Sequence, residues 1–163
     1  MQRVIVFANP DDPTRVSVMT PTGELPIEEL IRRHIDTSKP YAVMAPSDLP
    51  VADDDFFEAW SLVAQDNGSY SVQVDITKAR ELHRKSLRFA REPLLQQLDV
   101  AFMRAVERGD TAEQQSIAAR KQRLRDSPTD TRIEAAQTTA ELRALTLDVL
   151  TAYYVFDVSS STH

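Results

Sequence analysis

Hydrophobic and polar positions change rhythm at Thr77. Before it, short runs with a period of two prevail. Val4-Ile5-Val6-Phe7 is a brief apolar run ending at Asn9-Pro10, a turn signal. Arg15-Val16-Ser17-Val18-Met19-Thr20 alternates, as a strand with one buried face does. The two predict a hairpin joined by Asp11-Asp12-Pro13-Thr14 and closed at Pro21-Thr22-Gly23. Pro26 opens a short helix, since a proline costs little in a first turn. Glu28 and Glu29 favour the same end through the helix dipole. Ile27, Leu30, Ile31 and His34 share one face of that helix, which predicts a half-buried histidine. Lys39 to Met44 reads as a strand, and Ala45 to Pro50 as a turn-rich link. Phe56, Phe57 and Trp60 follow the acidic run Asp53-Asp54-Asp55. Their first reading is local core, because aromatics dominate the cores of small domains; their second is a docking anchor. After the turn signal Asn67-Gly68, alternation places Tyr70, Val72, Val74 and Ile76 inward on a strand.

From Thr77 the period lengthens to that of a helix. Thr77 is the expected N-cap. Leu87, Leu94, Leu98, Ala101 and Ala105 fall on a three-four stripe flanked by Leu95, Phe102 and Val106. Pro93 predicts a kink or restart, because it removes a hydrogen bond and crowds the preceding turn. Gly109 is a left-handed cap residue. Asp110 or Thr111 then starts a second helix running to about Arg125. Ile117, Ala118, the stem of Lys121 and Leu124 are expected to face the first helix. So short a connection predicts an antiparallel αα-hairpin, held by Leu94, Leu98, Phe102, Ile117 and Leu124. Thr138 to Glu141 reads as a capping box for a last short helix carrying Leu142 and Leu145. Leu147 to Val158, rich in Tyr, Val and Phe, reads as a strand. The expected class is α+β. The expected parts are a strand-rich domain over 1–76, a hairpin over 77–126 and a short helix with an aromatic extension over 127–163.

Charge sharpens this division. The 163 residues carry a net charge of -6. Residues 1–76 hold 5 Lys/Arg against 13 Asp/Glu, whereas residues 77–126 hold 12 against 7. Such asymmetry predicts surfaces that face different neighbours, or each other across copies. Arg84, Arg88 and Arg91, together with Arg80 and Lys85, lie at helical spacing and suit an acidic protein patch. A pI near 5.1 and the lack of interleaved aromatics make nucleic acid an unexpected partner. No stretch approaches the roughly 18 to 20 apolar residues of a membrane helix. The run Val4–Phe7 is also too short for a signal segment.

No catalytic constellation stands out. The chain has no cysteine, which removes disulfides and thiolate chemistry. His34, His83 and His163 have no mutual ligand spacing, and His83 is expected to be exposed. Glycines at only 23, 68 and 109 leave no phosphate-cradling loop. Asp53-Asp54-Asp55 lacks the spaced ligands of a calcium loop. No metal, cofactor or enzymatic activity is expected.

The helical segment nevertheless resembles something. Glu92-Pro93-Leu94-Leu95 through Leu98-Asp99, then Gly109-Asp110-Thr111, then Lys121-Gln122-Arg123-Leu124-Arg125-Asp126 resembles a helical hairpin recurring in tail and tail-fibre assembly proteins of tailed bacteriophages. Thr138 to Leu142 is similar to the step that follows it there. Pro26-Ile27-Glu28-Glu29-Leu30, Lys39-Pro40-Tyr41-Ala42-Val43, the Asp48-Leu49-Pro50 turn and Ala59-Trp60 also look like the front half of such proteins. The resemblance implies a non-enzymatic virion or tail-associated protein, made in the host cytoplasm, that docks tail, fibre or neck components. It implies a homo-oligomer within a symmetric assembly. The alternatives are a fibre-assembly chaperone absent from the particle, or a small protein- or nucleic-acid-binding adaptor. Candidate docking residues are Phe56, Phe57, Trp60, Arg84, Arg88, Arg91, Tyr153, Tyr154 and Phe156.

Overall fold

A computed structural model describes residues 1–152. The fold is mixed α+β and divides into two compact units, Met1–Leu82 and His83 onward. The division falls inside the long helix rather than at Thr77. It also places the hairpin and the later helices in one unit instead of two.

In the first unit, β1 (Val4–Ala8) pairs antiparallel with β2 (Val16–Met19). After α1 (Ile27–His34), β3 (Tyr41–Met44) pairs with the other edge of β1, giving the order β2-β1-β3. Short 3-10 turns at Pro46–Asp48 and Val51–Ala59 lead into a second hairpin, β4 (Trp60–Ala64) and β5 (Tyr70–Val74). Period-two alternation explains the core. Val4, Val6 and Val16 face Trp60 and Val72, with Met44 completing the cluster. Ile5, on the opposite side of β1, is fully buried as well, so the central strand is covered on both faces.

β4 was not anticipated from the sequence. Phe56 to Ala64 is too evenly apolar for its period to separate helix from strand. Ile76 belongs to the next helix rather than to β5. His34 is exposed, because α1 turns only Ile27, Leu30, Ile31 and Glu29 partly inward.

The long helix α2 (Ile76–Glu107) starts at Asp75, not Thr77. The Asp75 carboxylate accepts from the Thr77 and Lys78 amides at 2.9 and 3.2 Å. An aspartate at this place satisfies free N–H groups and suits the helix dipole. The helix runs unbroken through Pro93, whose ring lies on an exposed side. The predicted restart therefore does not occur.

Gly109, at φ 69°, ends α2 as expected. The Asp110 carboxylate caps α3 (Thr111–Asp126) by accepting from the Glu113 amide at 3.0 Å. Leu98, Ala105, Ile117 and Leu124 form the hairpin core, with Leu95, Ala101, Phe102 and Leu147 packed around them. Ala118 points outward, contrary to expectation, whereas Lys121 lies beside α2 as expected: its ammonium pairs with Asp99 and sits 5.7 Å from the Phe102 ring centre.

Three short helices complete the second unit: α4 (Thr131–Ala135), α5 (Thr139–Ala144) and α6 (Leu147–Thr151). Thr138 caps α5 as predicted, its hydroxyl accepting from the Glu141 amide at 3.1 Å, while the Glu141 carboxylate of the expected box accepts from the Gln137 amide at 2.6 Å. Leu147 to Thr151 is helical rather than extended, because Thr146 caps it by accepting from the Val149 amide at 3.3 Å.

Candidate docking surfaces

The docking residues expected from sequence divide sharply once placed. Phe56 and Trp60 are buried, and the Trp60 indole N–H donates to the Asp53 carbonyl at 3.1 Å. Both are core, so a docking role for them is corrected. Phe57 alone of the trio reaches solvent, its ring edge-to-face with Trp60 at 5.0 Å between centres.

The arginines divide in the same way. Arg84 forms an ion pair with Glu134 of α4 at 2.7 Å, with its own side chain mostly covered. Arg91 reaches the end of α3 and donates to the carbonyls of Leu124 and Arg125 at 3.3 and 2.6 Å. Both carbonyls lie in the last turn of α3, where the Ser127 hydroxyl also donates to Leu124 at 2.8 Å, and a cation there complements the negative end of the helix dipole. These two residues brace the second unit internally, which corrects their assignment to a partner. Arg88 remains on the exposed surface. Tyr153, Tyr154 and Phe156 lie outside the described residues.

Of the predicted hairpin residues, Leu98, Ile117 and Leu124 are buried and Phe102 is partly so. Leu94 is 39% exposed. It lies on the rim of a groove of about 440 Å³ whose floor is Leu98, Ala101 and Leu124. Arg120 and Arg123 stand on the α3 side, and Asp148 and Thr151 on the α6 side.

A second surface went unnoticed in the sequence. Phe89, Val100 and Met103 are 85, 52 and 58% exposed. At 3.6 residues per turn they share a stripe with Pro93 and Gln96, roughly opposite Leu98 and Ala105. Besides the face packed on α3, the helix therefore carries an outer line of exposed apolar side chains, interrupted by Gln96. The signal was available: 89, 93, 96, 100 and 103 have three-four spacing. The stronger leucine stripe hid it.

His83 is half-buried rather than exposed, with Nε2 at 2.8 Å from the Leu145 carbonyl oxygen. The carbonyl accepts, so Nε2 carries the hydrogen. The histidine thus ties α2 to the end of α5. Among the described residues no cluster of three His, Asp or Glu is placed to hold a metal ion. No described helix is long and apolar enough to cross a membrane.

No protein-family model matches the chain, and no curated protein or solved structure is detectably similar to it.

Proposed function

We propose that this chain is a non-enzymatic bacteriophage virion protein of the tail, which docks other tail or fibre components through its helical unit. The observation that carries the proposal is the outer stripe Phe89, Val100 and Met103. Covering a fully exposed side chain of this kind is worth about 1.5–3 kcal/mol, and about half of that for Val100 and Met103, which are half covered already; exposed apolar side chains gathered on one side of a helix mark an interaction site. Arg88 beside the stripe, and an N-terminal unit rich in carboxylates, supply complementary charge for repeated copies around a symmetry axis. The sequence resemblance supplies the setting: synthesis in the host cytoplasm, then assembly into the particle.

The test is the protein composition of purified particles of a phage that encodes the chain. Recovery of the chain in a fixed ratio to tail components supports the proposal. Its presence in the infected lysate but not in particles turns the reading to an assembly chaperone. Normal tail assembly with Val100→Glu/Met103→Glu, folded as the parent, would remove the outer stripe from the account. Salt-sensitive retention on DNA would favour the adaptor instead.

A further inference from the structure

We propose, resting on the reading of this face as an interface, that the outer line of α2 is covered by the same line of a second copy of this chain. The two helices run antiparallel about a two-fold axis at Gln96. Three observations point there, all within the second unit. First, at about 100° per residue, Lys85, Phe89, Gln96, Met103 and Glu107 lie within about 20° of one line along α2. All five are exposed, and Phe89 is 85% so.

Second, the line is its own complement. Lys85 and Glu107 stand equally far from Gln96 on either side, and so do Phe89 and Met103. An isologous contact places each residue against its counterpart across the axis. Lys85 then meets Glu107 of the second copy at both ends of the seam. Phe89 meets Met103, and a thioether against an aromatic ring is a favourable contact. Gln96 meets itself, and a primary amide both donates to and accepts from its twin. A parallel pairing would instead set Lys85 against Lys85 and Glu107 against Glu107. Third, the terminal charges are not used inside the chain: among the described residues neither Lys85 nor Glu107 has an ion-pair partner. Of the two carboxylates beside the centre, Asp99 is already paired with Lys121 of its own chain. Glu92 accepts from Gln96 Nε2 at 3.4 Å, which leaves the second amide hydrogen and the carbonyl of Gln96 for the twin.

The chain has no cysteine, so a single introduced one reports cleanly. In the full chain, Gln96→Cys lies on the axis and meets its own copy. Gln97→Cys, rotated by about 100° on the same helix, is the control. Under mild oxidation Gln96→Cys should form a disulfide-linked dimer about tenfold or more faster than Gln97→Cys, because only the first holds two thiols within bonding distance. Equal rates overturn the proposal. Charge reads the orientation. Lys85→Glu alone and Glu107→Lys alone each set like charges together at both ends, and each should weaken dimerisation severalfold at low salt. An equimolar mixture of the two restores opposite charges at both ends and should regain the parental affinity; a mixture no tighter than its components also overturns the proposal. Folding of each variant is checked by circular dichroism. Equal disulfide rates combined with failed tail assembly of Val100→Glu/Met103→Glu would overturn the self-pairing and leave the face as a dock for another protein. Fast disulfide formation combined with normal tail assembly of that variant would support the pairing and remove the tail role.

Discussion

Arg91 Nη1 lies 2.6 Å from the Arg125 carbonyl oxygen, joining the middle of α2 to the last turn of α3. The guanidinium supplies donors that the helix end lacks, and its charge opposes the dipole there. Arg91→Ala should destabilise the chain by about 1 kcal/mol, since one charge-assisted cap is lost at a partly exposed site. Arg91→Lys should recover much of this, because one nitrogen, Nη1, makes both contacts and an ammonium carries the same charge with three donors. Urea denaturation of the three proteins measures this, and equal midpoints would show that the contact contributes nothing.

Leu98 is buried with Ala105, Ile117 and Leu124. Leu98→Ala should cost about 2–5 kcal/mol through the cavity it leaves. Leu98→Asp should unfold the hairpin, because an unpaired carboxylate has no partner there. Unchanged thermal melting of the aspartate variant contradicts the assignment of this interface.

Much of the helical unit was legible because its signals are local. Gly109-Asp110 fixes the turn by itself, and Thr138 to Glu141 fixes the start of α5. What the sequence hid depends on distant partners. Arg84 and Arg91 look like members of a solvated basic face until α4 and the end of α3 fold against them, dozens of residues later. Pro93 breaks a local rule yet the helix continues, since packing of Leu98, Ala105 and their neighbours outweighs one lost hydrogen bond. Asp75 displaced Thr77 as the cap because a carboxylate was available two positions earlier. In the front half, alternation revealed β2 and β5, but the dense apolar stretch before Ala64 concealed β4. Of the candidate docking residues, Phe56 and Trp60 could not be told from core by type, because an aromatic side chain serves either role.

Gly109 has φ 69° and nothing within 4 Å of where a Cβ would stand. The cost of Gly109→Ala is therefore backbone strain alone, about 1 kcal/mol. Gly109→Asn should cost less, because asparagine tolerates the left-handed region. Thermal melting orders the three, and an alanine variant as stable as the parent would show that the turn relaxes.

Asp130 caps α4 by accepting from the Arg132 amide at 2.9 Å, and pairs with the Arg132 guanidinium at 3.0 Å. Hydrogen bonding to the Arg132 side chain, helped by the amide and opposed by partial burial, holds its carboxyl below the ordinary aspartate value. A depressed folded pKa stabilises the fold above the unfolded value, about 3.9. That contribution is lost as pH falls through the folded pKa. Asp130 should thus add no pH dependence between pH 7 and 5, and should contribute to a loss of stability below about pH 4. Asp130→Asn should flatten that acid limb while leaving much of the cap. A parallel acid limb in both proteins would show that Asp130 is not responsible.

The account turns on the outer face of α2 being an interface, and the mass of the purified chain in solution tests this most directly. Light scattering behind a sizing column should give a defined multiple of 18.4 kDa, as expected of a tail component with rotational symmetry. Val100→Glu/Met103→Glu should return it to a single chain with its fold intact. A parent protein that stays monomeric at every concentration, or a double variant that keeps the full assembly, would contradict the account.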